Sequence, residues 1–340
     1  MKQLRINVIG AGHWGPNVIG SLNSLPEVEV LTVCDLDEEA LEKIRQRFPT
    51  VETSTAPQAV LSDSRVQAIC IATPVSTHFE LAKAALANGK HVFVEKPLCE
   101  TSAECLILEQ EATRRNLLVM VGHVFLFNPS ILKVKEIIQS GDLGKIFYLE
   151  AHRTNLGPVR QDVNAIWDLT SHDISIFNFL LDAEPLSASA VGSKALDGQV
   201  EDTTFATFRY PDSILAHAHA SWLNPKKVRQ ITIVGERKML TWDDIDITHP
   251  IRIYDSKVTL GSHYSDTFAT HRMNYHRGDV IMPQVEGGEP LKNECRAFVE
   301  SILNETSALS DGIFGRKVVE ALEATDRSLE SNGSFIKISP

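Results

Sequence analysis

Three glycines, Gly10, Gly12 and Gly15, stand in the order G-A-G-H-W-G between the apolar run LRINVI (4–9) and a helical pattern over 14–24. The first glycine permits a tight turn, the second lets backbone approach a pyrophosphate, and the third lets helix and strand pack closely. The helix N-terminus then faces a dianion. A lone motif of this kind is weak, because glycine-rich turns are common. Here the strand, the helix and Asp35, about twenty residues beyond Gly15 at the end of a second strand, are all in place. The segment reads as a dinucleotide-binding fingerprint, with His13 and Trp14 inside the turn. Asp35 chooses the cofactor: a carboxylate accepts hydrogen bonds from the adenosine ribose and repels a 2′-phosphate. Leu36 to Glu39 add acid and no base, so NAD is expected over NADP.

The same style of apolar run returns at 29–35, 66–73, 90–96 and 117–122, with helical patterns at 37–48, 75–89 and 102–116 between them. Near-continuous apolar strands alternating with helices suit a parallel sheet covered on both faces. Residues 1–122 are therefore expected to form a doubly wound Rossmann domain. Beyond 122 the rhythm changes. Helices are expected at 129–141 and 168–181, strands at 146–154, 186–192, 203–210, 214–222, 229–236 and 238–243, and closing helices at 291–304 and 314–331. Strands joined by turns such as YPDS (210–213) imply a large, mostly antiparallel sheet, so residues 123–340 are expected to form an α+β domain for substrate binding and oligomerisation. Residues 256–290 carry little periodicity and read as a long loop, either functional or an interface arm.

A chain of 340 residues with 43% hydrophobic and 23% charged residues can build two ordinary cores, and nothing in that composition suggests a disordered, fibrous or disulfide-stapled chain. Lys plus Arg against Asp plus Glu gives 33 − 44 = −11, a surface that repels nucleic acid. Five scattered cysteines without a CxxC pair suggest neither a disulfide framework nor a thiolate zinc site. With no apolar run near the roughly 20 residues of a membrane span and no room for a leader before the first strand, a cytoplasmic, membrane-free chain is expected.

Glu95-Lys96-Pro97 follows the strand KHVFV, and ligands of open parallel sheets bind beyond the carboxyl ends of strands. Lys96 is thus aimed at the cofactor edge, or is an ordinary surface lysine at a strand end. Asp168 and His172, four residues apart on an expected helix, project from one face. A neutral imidazole can take the proton of an alcohol as its carbon loses hydride, and a neighbouring carboxylate holds the ring. The plain alternative is an N-capping aspartate and a packed histidine. His217 and His219 share one strand face without an evident third ligand, and His271 and His276 lie in the long loop, so no metal is expected.

Together, Gly10 to Gly15, Thr73-Pro74 followed by His78, Glu95-Lys96-Pro97 and Asp168-x-x-x-His172 resemble the glucose-fructose oxidoreductase, inositol dehydrogenase and MocA (Gfo/Idh/MocA) family, over nearly the whole chain. The resemblance implies that Lys96 and His172 serve the hydroxyl being oxidised with Asp168 in support, the two principal roles being exchangeable. It places Thr73, Pro74, His78 and Glu95 along the cofactor. Residues 153–172, YHRGD (275–279) and EPLKNEC (289–295) resemble the branch acting at C3 of UDP-N-acetylglucosamine or its uronic acid. That narrower likeness implies that Arg153, Asn155, Arg160 and Asn164 line the sugar or its diphosphate, and ordinary loop charges are the alternative. The expected activity is NAD-dependent oxidation of a sugar hydroxyl by a homo-oligomer, dimer or tetramer. An inositol or free-sugar dehydrogenase, and a non-catalytic NAD-binding regulator, stay open beside it.

Overall fold

The computed structural model describes residues 3–196, 198–260 and 273–338. The chain packs into two compact units, Met1–Asn128 with Gly288–Glu323, and Pro129–Gly287 with Ala324–Pro340. Helices run in chain order as α1 (Gly15–Asn23), α2 (Glu38–Arg47), α3 (Pro57–Leu61), α4 (His78–Ala87), α5 (Ser102–Arg115), α6 (Pro129–Gln139), α7 (Ser171–Leu181), α8 (Pro290–Leu303) and α9 (Gly312–Glu330).

In the first unit, β1 (Leu4–Ile9), β2 (Val28–Cys34), β3 (Glu52–Ser54), β4 (Ala68–Ile71), β5 (His91–Glu95) and β6 (Val119–Gly122) form a parallel sheet in the order β3-β2-β1-β4-β5-β6. Ile6, Val8, Ile69, Ile71, Val92 and Val94 are wholly buried, the reason these strands read as unbroken apolar runs. Each such side chain contributes about 1.5–3 kcal/mol of transfer free energy. The one polar residue inside β1 is satisfied: the Asn7 amide donates to the Val60 carbonyl at 3.0 Å, and its oxygen accepts the Thr32 N–H at 3.1 Å. That side chain bridges the register shift between Ile6 and Val8 in the β1–β2 ladder. Asp37 caps α2, and Thr101 with Glu104 forms a capping box on α5.

The boundary expected at residue 122 places too much of the chain in the second domain, because residues 288–323 return to the first unit. Their apolar face completes its core. Phe298 of α8 meets Phe93 of β5 edge to face at 5.6 Å, Ser310 donates to the Val121 carbonyl at 2.7 Å, and Arg316 pairs with Glu109 at 2.9 Å.

In the second unit, β7 (Ile146–Leu156), β8 (Ser187–Ser193), β9 (Thr203–Arg209), β10 (Leu215–Ser221), β11 (Leu223–Gly235), β12 (Met239–Asp243), β13 (Ile251–Leu260), β14 (Met273–Ile281) and β15 (Ile336–Lys337) form one sheet in the order β14-β13-β12-β11-β7-β10-β9-β8-β15. Among the described residues, the β7–β10 pair alone is parallel in this sheet. One face buries Leu149, Ala151, Ala216, Ala218, Ile231, Ile233, Leu240 and Trp242. The other carries Glu150, His152, His217 and His219, which are half-buried. The stretch read as a loop over 256–290 instead contains the end of β13 and all of β14. The side chains of β14 from Tyr275 onward are exposed and none from Asp255 to Val258 of β13 is buried, so beyond Ile253 this part of the edge hairpin has no buried face to create an alternating pattern. His276 bonds Asp255 at 3.2 Å, and His271 lies outside the described residues.

Candidate active site

The glycine turn is built for close approach. Gly10 has φ +107°, and a Cβ there would stand 2.5 Å from the Ala72 carbonyl oxygen, so β1 and β4 end against each other only without a side chain. A Cβ on Gly15 would lie 2.2 Å from the Gly10 oxygen, whereas one on Gly12 would meet no protein atom within 4 Å. The space over Gly12 is what a pyrophosphate needs. At the mouth of α1, Trp14 makes no side-chain cap and the first turn holds no acid; Pro16 carries no N–H and the Asn17 N–H bonds the Trp14 carbonyl at 3.0 Å, which leaves the Gly15 N–H to an incoming anion. Asp35 accepts the Ala11 N–H at 2.6 Å and the Asp37 N–H at 2.9 Å, which fixes the carboxylate beside the glycine turn. These residues fit a dinucleotide with its adenosine ribose at Asp35.

Thr73 and the exposed Pro74 follow β4, where the Thr73 and Thr77 hydroxyls lie 2.7 Å apart. His78 departs from its expected place along the cofactor. It is 1% exposed, with Nδ1 2.9 Å from the Pro97 carbonyl oxygen and Nε2 2.9 Å from that of Thr73. Burial lowers its pKa and keeps the ring neutral, so it donates through one nitrogen. His78 therefore ties together the loops after β4 and β5.

Glu95 and Lys96 end β5. The Glu95 carboxyl lies over Gly122, its partner on β6, where an added Cβ would come within 3.0 Å of Oε2. Burial drives this carboxyl up to about 7, against the pull of the Lys96 charge and of hydrogen bonds from the Trp14 indole and the Lys96 backbone. Sequence reasoning missed two neighbours, Glu294 and His123. Glu294 is completely buried in α8, and burial followed by repulsion from Glu95 raises its pKa well above the ordinary range. Its signal was a charge at an apolar position: Leu291, Glu294, Cys295 and Phe298 share the buried face of that helix. His123, directly after β6, is 1% exposed, and burial, then the Lys96 charge, lowers its pKa to about 3.

In the second unit, Asp168 lies on a π-helical turn, Ile166–Thr170, and His172 on α7. The expected four-residue helical spacing is thus divided between a wide i→i+5 turn and an α-helix. The Trp222 indole donates to Asp168 Oδ2 at 3.1 Å, and Arg160 Nη1 approaches Oδ1 at 3.4 Å. Trp222 is 1% exposed among Ala165 and Ala220, so the turn is seated on the end of β10 and the indole N–H finds its acceptor there.

Two residues expected to line substrate are committed to structure. Arg153 is 3% exposed and donates through Nε and Nη2 to Asp173 at 2.9 and 2.8 Å. Asn164 donates to Asp326 at 3.0 Å, and its oxygen accepts the Ile166 and Trp167 N–H groups at 3.1 Å, which anchors the π-helical turn. Asp326 also takes the Trp167 indole at 2.6 Å. Arg160 and Asn155 are half-buried, and Arg160 is shared between Asp162 and Asp168. Lys96 belongs to the first unit, and Asp168, His172, Arg153, Asn155, Arg160 and Asn164 belong to the second. On the open sheet face His217 bonds Thr207 at 3.0 Å and His219 stacks on Phe205, so both histidines serve the sheet.

Known proteins share this architecture. The UDP-N-acetylglucosamine 3-dehydrogenase of Acidithiobacillus ferrooxidans is 25% identical over 332 residues, 94% of this chain and 96% of that protein. The myo-inositol 2-dehydrogenase of Thermotoga maritima is 22% identical over 84% of this chain and 90% of its own length. The crystal structure of GenD2 from gentamicin A biosynthesis, in complex with NAD, superposes with a TM-score of 0.83 at 21% identity, covering 100% of this chain and 97% of that one. The family profile described as "Oxidoreductase family, NAD-binding Rossmann fold" matches residues 4–123, and that described as "GFO/IDH/MocA C-terminal domain" matches 131–241. With both halves matched, the chain belongs to the GFO/IDH/MocA family of NAD-binding oxidoreductases.

Proposed function

We propose that this protein oxidises the C3 hydroxyl of a UDP-linked N-acetylhexosamine, or of its uronic acid, to the 3-keto sugar. The observation that carries this reading is the likeness to a UDP-N-acetylglucosamine 3-dehydrogenase along 94% of the chain, which includes the unit holding Asp168 and His172. NAD, when bound, accepts the hydride from the sugar carbon at its nicotinamide. Lys96 polarises the oxygen through its ammonium group. His172, placed at the start of α7, accepts the hydroxyl proton, and Asp168 supports it, held in place by Trp222 and Arg160. With Arg153 tied to Asp173, Arg160 is the guanidinium left for a diphosphate or carboxylate.

A second reading, an inositol dehydrogenase, is favoured by the 22% likeness to the Thermotoga maritima enzyme. NADH formation with UDP-N-acetylglucosamine, its uronic acid, myo-inositol and glucose separates the two, with a ketone trap to draw off the product. Turnover of a UDP-sugar supports the proposal. Turnover of inositol or glucose with neither UDP-sugar overturns it. The open sheet face exposes Tyr148, Val191, Phe205 and Leu215, an apolar set suited to a second copy of the chain. A monomer in light scattering at micromolar concentration contradicts that assembly.

A further inference from the structure

Buried polar atoms of the first unit that find no hydrogen-bond partner among the described residues include Oε1 of Glu95, both carboxyl oxygens of Glu294 and both ring nitrogens of His123. A carboxylate taken out of water without donors is strongly disfavoured, and two beside each other cannot both stay ionised. Glu95 is at the end of β5, next in sequence to Lys96 and facing Gly122, which leaves space for the carboxyl. Glu294 comes from α8, with no exposed surface. Phe93, two residues before Glu95 on β5, packs edge to face at 5.6 Å on Phe298, one helical turn from Glu294 on the same buried face of α8, which sets the two carboxyls beside one contact. A proton placed between them supplies the hydrogen bond that Oε1 of Glu95 and the Glu294 carboxyl lack.

We propose that Glu95 and Glu294 hold a single proton between them above neutral pH, and that the one negative charge the pair then retains balances and positions the Lys96 ammonium. The groups around the pair agree with that charge count. From the glycine turn, the Trp14 indole donates to Glu95. From β4 and α8, Cys70 and Cys295 are thiols whose pKa values burial raises. His123, pushed to about 3, adds no positive charge near neutrality. Lys96 is the cation acting on Glu95, and Glu95 is the anion acting on Glu294. Burial raises both carboxyls, Glu95 to about 7, so Glu294 keeps the proton while Glu95 carries the charge above that pH. The consequence for turnover rests on the reading that Lys96 polarises the substrate oxygen; the shared proton does not.

The test uses the full-length protein labelled with carboxyl-13C glutamate and titrated by NMR, with and without NAD. In the wild type one glutamate is expected to titrate near neutrality and a second to remain protonated beyond it. Glu294→Gln should remove the second signal and move the first acidward by about one pH unit or more, because an amide does not repel Glu95 and can donate to it. Glu95→Gln should move the alkaline limb of kcat/KM to lower pH, since Lys96 loses its counter-charge. Should Glu294→Gln fail to fold, the wild-type titration decides alone. Glutamates that all titrate near the ordinary value of about 4.3 overturn the pair, as does a Glu294→Gln variant with an unmoved Glu95 signal. If the titrations fail while Lys96→Met still abolishes turnover, the pair falls and the Lys96 reading stands. If Lys96→Met keeps full turnover, the Lys96 reading falls whatever the titrations show.

Discussion

Arg153 and Asp173 meet as a buried ion pair, Nη2 to Oδ1 at 2.8 Å, with side-chain exposures of 3% and 1%. Burial raises the Asp173 pKa, and the Arg153 charge and its hydrogen bonds oppose that rise. Removing the guanidinium leaves the Asp173 carboxylate in the core without its hydrogen-bonded counter-charge, with the more weakly acting Arg229 and His152 remaining. Arg153→Met is therefore expected to destabilise the protein by about 3–5 kcal/mol. The loss should be larger at pH 8 than at pH 5, because Asp173 must ionise in the unfolded chain but resists doing so in the folded one. Arg160→Met, at a half-exposed pair, should cost no more than about 1 kcal/mol while weakening substrate binding. Denaturant unfolding at the two pH values measures both, and equal losses for the two variants contradict the division of roles.

The glycine turn separates folding from cofactor binding. A Cβ at Gly12 meets no protein atom within 4 Å, so Gly12→Ala should leave the stability of the NAD-free protein within about 0.5 kcal/mol. The same methyl occupies the pyrophosphate's approach and should weaken NAD at least about tenfold, or about 1.4 kcal/mol. Gly15→Ala, at 2.2 Å from the Gly10 oxygen, should instead lower stability, by about 1–3 kcal/mol. Calorimetry and thermal unfolding read the two effects independently. An unchanged NAD affinity in Gly12→Ala removes the pyrophosphate from this turn.

Asp35 is fixed by the Ala11 and Asp37 N–H groups and keeps carboxylate lone pairs for ribose hydroxyls. Asp35→Ser should narrow the preference for NAD over NADP by removing both the acceptor and the repulsion of a 2′-phosphate. Equal wild-type affinities for the two cofactors contradict the assignment.

Lys96→Met and His172→Ala are each expected to lower kcat by about 100-fold or more, the scale of a lost acid or base, with NAD affinity changing much less. Single-turnover rates at saturating NAD check this. A variant retaining wild-type chemistry strips its residue of the role.

Glu294 carries a stability prediction with a definite sign. Its carboxyl is held above its ordinary value in the folded chain, so between the unfolded and folded values the folded chain binds the extra proton. Stability from this group therefore falls as pH rises from about 4.3. Glu294→Met, of similar size and without charge, should raise stability at pH 8 by about 1–3 kcal/mol, with the gain shrinking toward pH 4. A variant that melts below the wild type at pH 8 and equals it at pH 4 reverses the expected sign.

The sequence by itself determined the parallel sheet and its cofactor turn. Strands buried on both faces write continuous apolar runs, and the requirements on Gly10, Gly12 and Gly15 are local to a few residues of backbone. The turn YPDS at 210–213 likewise announced the antiparallel pairing of β9 with β10, and with it the mostly antiparallel second sheet. The tertiary structure decided which polar residues are free to act. Asn164 and Asp326 are 162 residues apart, and Glu95 and Glu294 lie on β5 and α8, so no spacing rule connects either pair. Arg153, Asn164 and His78 looked like ligand-facing groups because a side chain's type does not reveal whether its hydrogen bonds are spent on Asp173, on Asp326 or on the carbonyls of Thr73 and Pro97. The edge hairpin of β13 and β14 was illegible for the opposite reason. Beyond Ile253 its order comes from backbone pairing without buried side chains, and a ladder of main-chain hydrogen bonds leaves no periodic trace in side-chain hydrophobicity.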